Sequence, residues 1–249
     1  MAYYDFLSII FAPLLNLPLL WTVIIISLLV SIIIIIITKL TTDQALMKRL
    51  KDEIKGYQKQ IRELKGEPAK AMEVQKKAME LNMKYMKYSL KPTLITFIPV
   101  ILIFGWMSST FAYESISPQQ EFSITAFFQK STNGEAKLIA IEGVEIIGGQ
   151  IKKIEDDKAT WTLKGDEGEH ILEVEYNGEK QQKSVLITNS GKYIEPSKKI
   201  RDSAINSIQI DYKQKKILDL FGWKLGWLGT YIIFSIIFTM ILRKMMKVY

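Results

Sequence analysis

Apolar runs alternate along this chain with a stretch of helical period and a stretch of strand period, and that order predicts the architecture. Residues 19–37 hold only Thr22, Ser27 and Ser31 as polar positions and end in six consecutive isoleucines. Residues 93–113 carry no charge, and residues 225–242 carry none before Arg243. About 20 apolar residues span a ~30 Å hydrocarbon core, so these runs predict three transmembrane helices, over 19–38, 93–113 and 225–242. The first run has no basic leader and is longer than the core of a cleaved signal, so it should be retained. Residues 1–18 are aromatic and apolar, are broken by Pro13 and Pro18, and predict a segment lying in the outer membrane interface.

Residues 39–92 read as a helical hairpin. Leu46, Leu50, Ile54, Tyr57, Ile61 and Leu64 recur at steps of 4, 4, 3, 4 and 3, and Ala71, Val74, Ala78, Leu81, Tyr85 and Tyr88 at 3, 4, 3, 4 and 3. Gly66-Glu67-Pro68 stands between them, a helix stop followed by a helix start. Matching heptad seams predict an antiparallel coiled coil with arms over 43–65 and 69–91. Each arm is then about 35 Å long at 1.5 Å per residue. Beside the second seam runs a methionine stripe of Met72, Met79, Met83 and Met86. Such a stripe fits two roles, packing against the first arm or the bilayer surface, or binding varied apolar partners.

Residues 114–224 change period. Glu121-Phe122-Ser123-Ile124 and Leu138-Ile139-Ala140-Ile141 alternate as strands do, and Asn177-Gly178 is a hairpin signal. Several short strands with regular turns predict a small β-sandwich-like domain inserted between the second and third spans. The Trp161 segment followed by GEHILEVEYNG resembles immunoglobulin-like extracytoplasmic modules.

Charge orients the spans. Residues 39–91 hold 14 Lys/Arg against 7 Asp/Glu, and residues 243–249 add Arg243, Lys244 and Lys247, whereas residues 114–224 hold 16 against 18. The positive-inside rule therefore predicts a multi-pass protein of the cell membrane. Its N-terminus and the β-rich domain lie outside, and the hairpin and the basic C-terminal tail lie in the cytosol. Trp106, Trp223 and Trp227 then mark one interface as an aromatic belt. A basic hairpin beneath a membrane suits anionic lipid or ribosomal RNA, with Lys76, Lys77, Lys84 and Lys87 as candidate contacts.

The chemistry-bearing residues are few. The chain has no cysteine and one histidine, His170, which reads as structural. No Asp, Glu, His, Lys or Arg lies deep in a predicted span, as a proton relay or intramembrane protease would require. The sequence thus predicts no enzyme, metal, cofactor or small-molecule substrate. Hydroxyls do line up: Tyr231, Ser235 and Thr239 lead to Arg243 at steps of four, Ser27, Ser31 and Thr38 share a face beside Lys39, and Thr93 and Thr96 open the second span. All but Tyr231 and Ser27 fall in the inner half of the bilayer. They fit either interhelical hydrogen bonding or a hydrophilic groove open to the cytosol.

The topology, the basic hairpin and two runs, PVILIFGWM at 99–107 and FGWKLGWLGTYIIFSIIFTMILRKMMK at 221–247, together resemble the archaeal YidC-like proteins. These belong to the Oxa/YidC/Alb membrane insertase superfamily, related to the insertase subunit of the ER membrane complex. The likeness covers the spans and the hairpin and leaves out the β-rich domain. It implies a non-enzymatic insertase that receives hydrophobic nascent segments from the ribosome and passes them into the bilayer, alongside lipids and another membrane subunit as partners. On that resemblance Ser31, Thr38, Thr96, Tyr231, Ser235 and Thr239 line the groove, and Lys39 and Arg243 stand at its edge. Met72, Met79, Met83 and Met86 capture apolar segments. Bacterial relatives carry an arginine within the groove, and here only the edge is basic. The competing reading is a membrane receptor or scaffold whose outer β-domain binds a ligand and whose coiled coil recruits cytosolic partners.

Overall fold

The computed structural model describes residues 5–64, 66–140 and 142–248. The first four residues of the aromatic N-terminal segment, Lys65 at the end of the first arm, and Ile141 of the 138–141 alternation lie outside them. In chain order the elements are α1 (Asp5–Leu15), α2 (Leu19–Thr41), α3 (Gln44–Glu63), α4 (Pro68–Phe111), β1 (Phe122–Phe128), β2 (Glu135–Ala140), β3 (Val144–Ile147), β4 (Ile151–Lys153), β5 (Lys158–Gly165), β6 (Gly168–Tyr176), β7 (Glu179–Ile187), β8 (Ser197–Lys199), β9 (Ile205–Ile210), β10 (Leu218–Leu220), β11 (Trp223–Leu225) and α5 (Trp227–Met246). They fall into two compact units, Met1–Trp106 with Ile217–Tyr249, and Met107–Lys216.

The first unit is helical. Among the described residues α2, α4 and α5 are long and apolar enough to cross a membrane. The second arm of the hairpin and the second span are one helix, α4, which runs through Pro92 and Pro99 without a break. At 1.5 Å per residue it is about 65 Å long. Asp43 caps α3, its Oδ1 accepting from the amides of Ala45 and Leu46 at 2.9 and 3.0 Å. Leu64, Glu67 and Ala71 carry backbone bonds through the turn, and Pro68 takes the first position of α4, where no amide is needed.

On α3 the residues withdrawn from solvent include Leu46, Leu50, Ile54 and Tyr57, with Ile61 and, just past its end, Leu64. On α4 they include Ala71, Val74, Ala78, Leu81 and Tyr85. Tyr88, which ends the periodic series, is exposed. Lys77 on α4 lies within electrostatic reach of Tyr57 on α3. In the span region α2 and α5 pack together, and Thr22 of α2 donates its hydroxyl to Leu14 O in α1 at 2.7 Å.

The second unit is β-rich. A five-stranded antiparallel sheet of order β3-β5-β1-β9-β8 and a four-stranded one of order β4-β2-β6-β7 share a single core. Ile124, Trp161, Leu163 and Ile208 enter it from the first sheet, and Leu138, Leu172, Val174 and Val185 from the second. Trp161 is wholly buried, and its Nε1 donates to Gln150 O at 2.8 Å, which satisfies its one polar atom. Alternation of side chains across each strand therefore fills one interior.

The chain enters and leaves this unit through a paired neck. Glu114 N donates to Lys213 O at 2.9 Å, and Lys215 N to Ala112 O at 3.0 Å. Beside the neck, Tyr113, Tyr193 and Tyr212 pack at ring separations of 5.4–5.9 Å. The Tyr193 hydroxyl accepts from Ala112 N at 3.0 Å and donates to Ser108 O at 2.5 Å. It thus stands between an amide and a carbonyl four residues apart, where a helical bond would otherwise run. Burial pushes its phenol up to about 12.

Candidate functional site

The helices of the first unit meet through aromatic contacts near one end, and large apolar side chains face outward along their length. Where α2 and α5 begin, aromatic side chains meet. Trp106 is buried, 4.9 Å from the ring of Phe11, and donates Nε1–H to Ser8 Oγ at 2.9 Å. Phe104 meets Tyr231 at 4.8 Å and Trp227 at 5.8 Å, both edge to face, an arrangement that the ring quadrupoles favour. Thr230 and Tyr231 are buried there. Leu94, Phe97, Ile98 and Ile101 of α4, and Ile236, Ile237, Met240, Ile241 and Met245 of α5, are all exposed.

Ser27, Ser31, Thr38, Thr96 and Ser235 follow a single rule. Ser27 donates to Val23 O, Ser31 to Ser27 O and Thr38 to Ile34 O, each at 2.7 Å. Thr96 donates to Thr93 O and Ser235 to Ile232 O, both at 3.0 Å. Each hydroxyl returns its proton to its own helix, the local bond available to Ser and Thr in any helix. What remains for a neighbour is the oxygen's lone pairs. Ser31 is only 1% exposed and Thr96 is buried, whereas Thr38, Ser235 and Thr239 are half-buried. Lys39 and Arg243 are exposed near the C-terminal ends of α2 and α5.

The methionine stripe is fully presented. Met72, Met79, Met83 and Met86 are 55–71% exposed and lie on the face of α4 away from its withdrawn residues. Because α4 is continuous, Leu90, Leu94 and Ile98 prolong the stripe at steps of four. An exposed apolar track therefore runs from Met79 into the uncharged half of α4, with Met72 two turns before it. Lys76, Lys84 and Lys87 are exposed beside it, and Lys77 is held by Glu73 one turn away, Nζ to Oε1 at 2.7 Å.

The periodicity found the residues of this track but not its continuity, because Pro92 reads as a boundary. It also missed the aromatic contacts, since residues 98 positions apart, Ser8 and Trp106, share no local pattern. In the β-rich unit His170 contacts Asp166 O at 2.9 Å and packs beside Gly143 and Gly168. Among the described residues no group of three or more His, Asp or Glu converges to hold a metal ion.

Comparison with known families gives one match. The model of the family described as integral membrane protein EMC3/TMCO1-like matches residues 8–135. No curated protein and no solved structure matches the chain.

Proposed function

The chain belongs to the EMC3/TMCO1-like family of integral membrane proteins, an insertase-related family of the Oxa1/YidC/Alb3 superfamily, and we propose that it inserts hydrophobic nascent segments into the bilayer in the manner of the archaeal YidC-like members. In this reading residues 39–92 form a cytosolic antiparallel coiled coil whose lysines meet the ribosome, and the methionine stripe captures apolar segments as they emerge. The captured segment follows the track along α4 into the bilayer. There the half-buried Thr38, Ser235 and Thr239 offer polar atoms to its flanks, the buried Ser31 and Thr96 are reached as the helices part, Tyr231 stands among the aromatic contacts, and Lys39 and Arg243 stand at the cytosolic edge.

The observation that carries this reading is the continuity of the exposed apolar face from Met79 to Ile98 on one helix, with Met72 two turns before it. A polar flank crossing hydrocarbon costs several kcal/mol per unsatisfied group. A protein that supplies acceptors partway lowers this barrier with no bond made or broken. The receptor or scaffold alternative would use the exposed methionines to recruit a cytosolic partner, and it gives no role to their continuation by Leu90, Leu94 and Ile98.

The lack of native cysteine makes the test direct. Single cysteines at Thr96 and Ser235, with Ile236→Cys as the lipid-facing control, are introduced into protein reconstituted in liposomes. Ribosome-bound chains with one apolar segment and a cysteine in its polar flank are then added. Protease protection above protein-free liposomes, with crosslinks to Thr96→Cys and Ser235→Cys exceeding those to Ile236→Cys, supports the proposal. Insertion no greater than in empty liposomes overturns it. Equal crosslinking at all three positions overturns the groove.

A further inference from the structure

Between the β-rich unit and α5 the chain forms a hairpin belonging to neither sheet. β10 and β11 pair antiparallel as Leu218 with Leu225, Asp219 with Lys224 and Leu220 with Trp223, and Ile217 N closes the base on Leu225 O at 2.8 Å. Alternation puts Leu218, Leu220, Trp223 and Leu225 on one face and Asp219 and Lys224 on the other. A lone two-stranded hairpin is marginal in water and needs another layer against its apolar face. Leu225 finds one on α5, beside Gly229. Trp223 remains 77% exposed.

The turn sharpens the point. Phe221 and Gly222 have φ of 53° and 90°, so both central residues are left-handed, as a type I′ turn requires. Two other turns in this chain meet the same demand with Asp156-Asp157 and Asn177-Gly178, residue types that tolerate that region. Here a phenylalanine takes the strained position, held by Gly222 N donating to Asp219 Oδ1 at 2.9 Å, and it is fully exposed. A bulky apolar side chain at a turn tip, in a conformation it disfavours, has a reason to be displayed.

We infer that the β10–β11 hairpin is an interfacial anchor, laying its apolar face in the head-group region of the leaflet from which α5 starts, with Phe221 and Trp223 at the acyl boundary. The inference rests on α5 spanning the membrane and is independent of which side that leaflet faces. The occupant is lipid because the hairpin's base lies one residue from Trp227, where the span begins. Three residue pairs reach about 10 Å at 3.4 Å per residue, and each head-group layer is about 5–7 Å deep. A hairpin longer than the layer is deep fits it by lying along the surface, which is how its apolar face meets the acyl boundary. Phe and Trp suit that layer as apolar bodies at a wet boundary. Lys224 on the opposite face suits its phosphates.

Full-length protein carrying Phe221→Cys is labelled with an environment-sensitive fluorophore and reconstituted in phosphatidylcholine–phosphatidylglycerol vesicles containing lipids spin-labelled at shallow or deep acyl positions. Asn177→Cys, at the tip of the β6–β7 turn, is the water-exposed control, and Ile236→Cys reports on α5. The expected result is blue-shifted emission from Phe221→Cys quenched most by the shallow label, with neither effect at Asn177→Cys. Emission at Phe221→Cys matching that at Asn177→Cys overturns the anchor. A blue shift that no lipid label quenches overturns it in favour of a protein contact. If Ile236→Cys escapes quenching by the deep label, α5 does not span, and the anchor falls for that separate reason.

Discussion

Replacing Met79 and Met83 together by serine isolates the capture step from the fold. Both side chains are 61% exposed and stand one turn apart on a face of α4 that is not withdrawn against α3. Their loss therefore removes no buried packing, and the hairpin should keep its stability. Fully burying a methionine yields about 1.5–3 kcal/mol. With 61% of each surface still exposed before capture, and one side of a bound helix able to cover about half of that, each residue can contribute roughly 0.5–1 kcal/mol. The pair then contributes about 1–2 kcal/mol, or a roughly five- to thirtyfold loss of affinity at 1.4 kcal/mol per decade. The assay titrates reconstituted protein with ribosome-bound apolar segments and reads crosslinks from a photoreactive residue at Gln75. Met47→Ser on α3 is the contrast, because Met47 is buried and its replacement should lower the hairpin's stability. Capture unchanged by Met79→Ser with Met83→Ser, at unchanged melting temperature, would refute the role given to the stripe.

Two further outcomes follow from the β-rich unit. Because the neck brings residues 112–114 beside residues 213–215, replacing residues 115–212 by a short Gly-Ser linker should leave membrane integration and insertion largely intact. Lost insertion with integration preserved would move the working parts into that unit. Burial raises the Tyr193 phenol to about 12, above its ordinary 10, so its contribution to stability is present in full below pH 10 and is lost as pH rises from 10 to about 12. Thermal unfolding of the wild-type chain should fall across that window more steeply than that of Tyr193→Phe, and parallel curves would exclude the linkage.

Much of this arrangement is legible in the pattern of residue types, and the parts that are not share a physical cause. The spans show because uncharged apolar runs of this length have no other solvent. The helices over 44–63 and from 68 onward show because apolar residues at steps of three and four fix one face. The strands of the β-rich unit show in their alternation and in Asn177-Gly178, whose left-handed turn is the one that its residue types favour. Pro92 misleads, because it removes one amide and biases its predecessor away from helix, whereas the span predicted over 93–113 already runs through Pro99. In a long helix the rest of the ladder survives, and α4 continues. The β10–β11 hairpin is hidden for the opposite reason: three residues per strand are too few to show a period, and Phe221-Gly222 lacks the Asn or Asp that would announce its turn.

The hydroxyl stripes show how far spacing alone can go. Steps of four place Ser27 and Ser31, or Tyr231, Ser235 and Thr239, on one face, but they do not say where the protons point. The i−4 carbonyl lies within reach of any helical Ser or Thr hydroxyl whatever stands beside the helix, so the local bond forms first. Ser31, Thr38, Thr96 and Ser235 all take that course or its three-residue variant. The oxygens of the half-buried Thr38 and Ser235 then face their surroundings as acceptors only, and those of Ser31 and Thr96 are buried. A chain segment passing along Thr38 and Ser235 would find partners for its amide N–H groups and for cationic or hydroxyl donors, while its carboxylates would find partners only at Lys39 and Arg243. That asymmetry does not depend on a charge within the spans. It agrees with basic residues standing only near the ends of α2 and α5, at Lys39 and Arg243, and it makes the polarity of the substrate's flank a consequence of helix geometry.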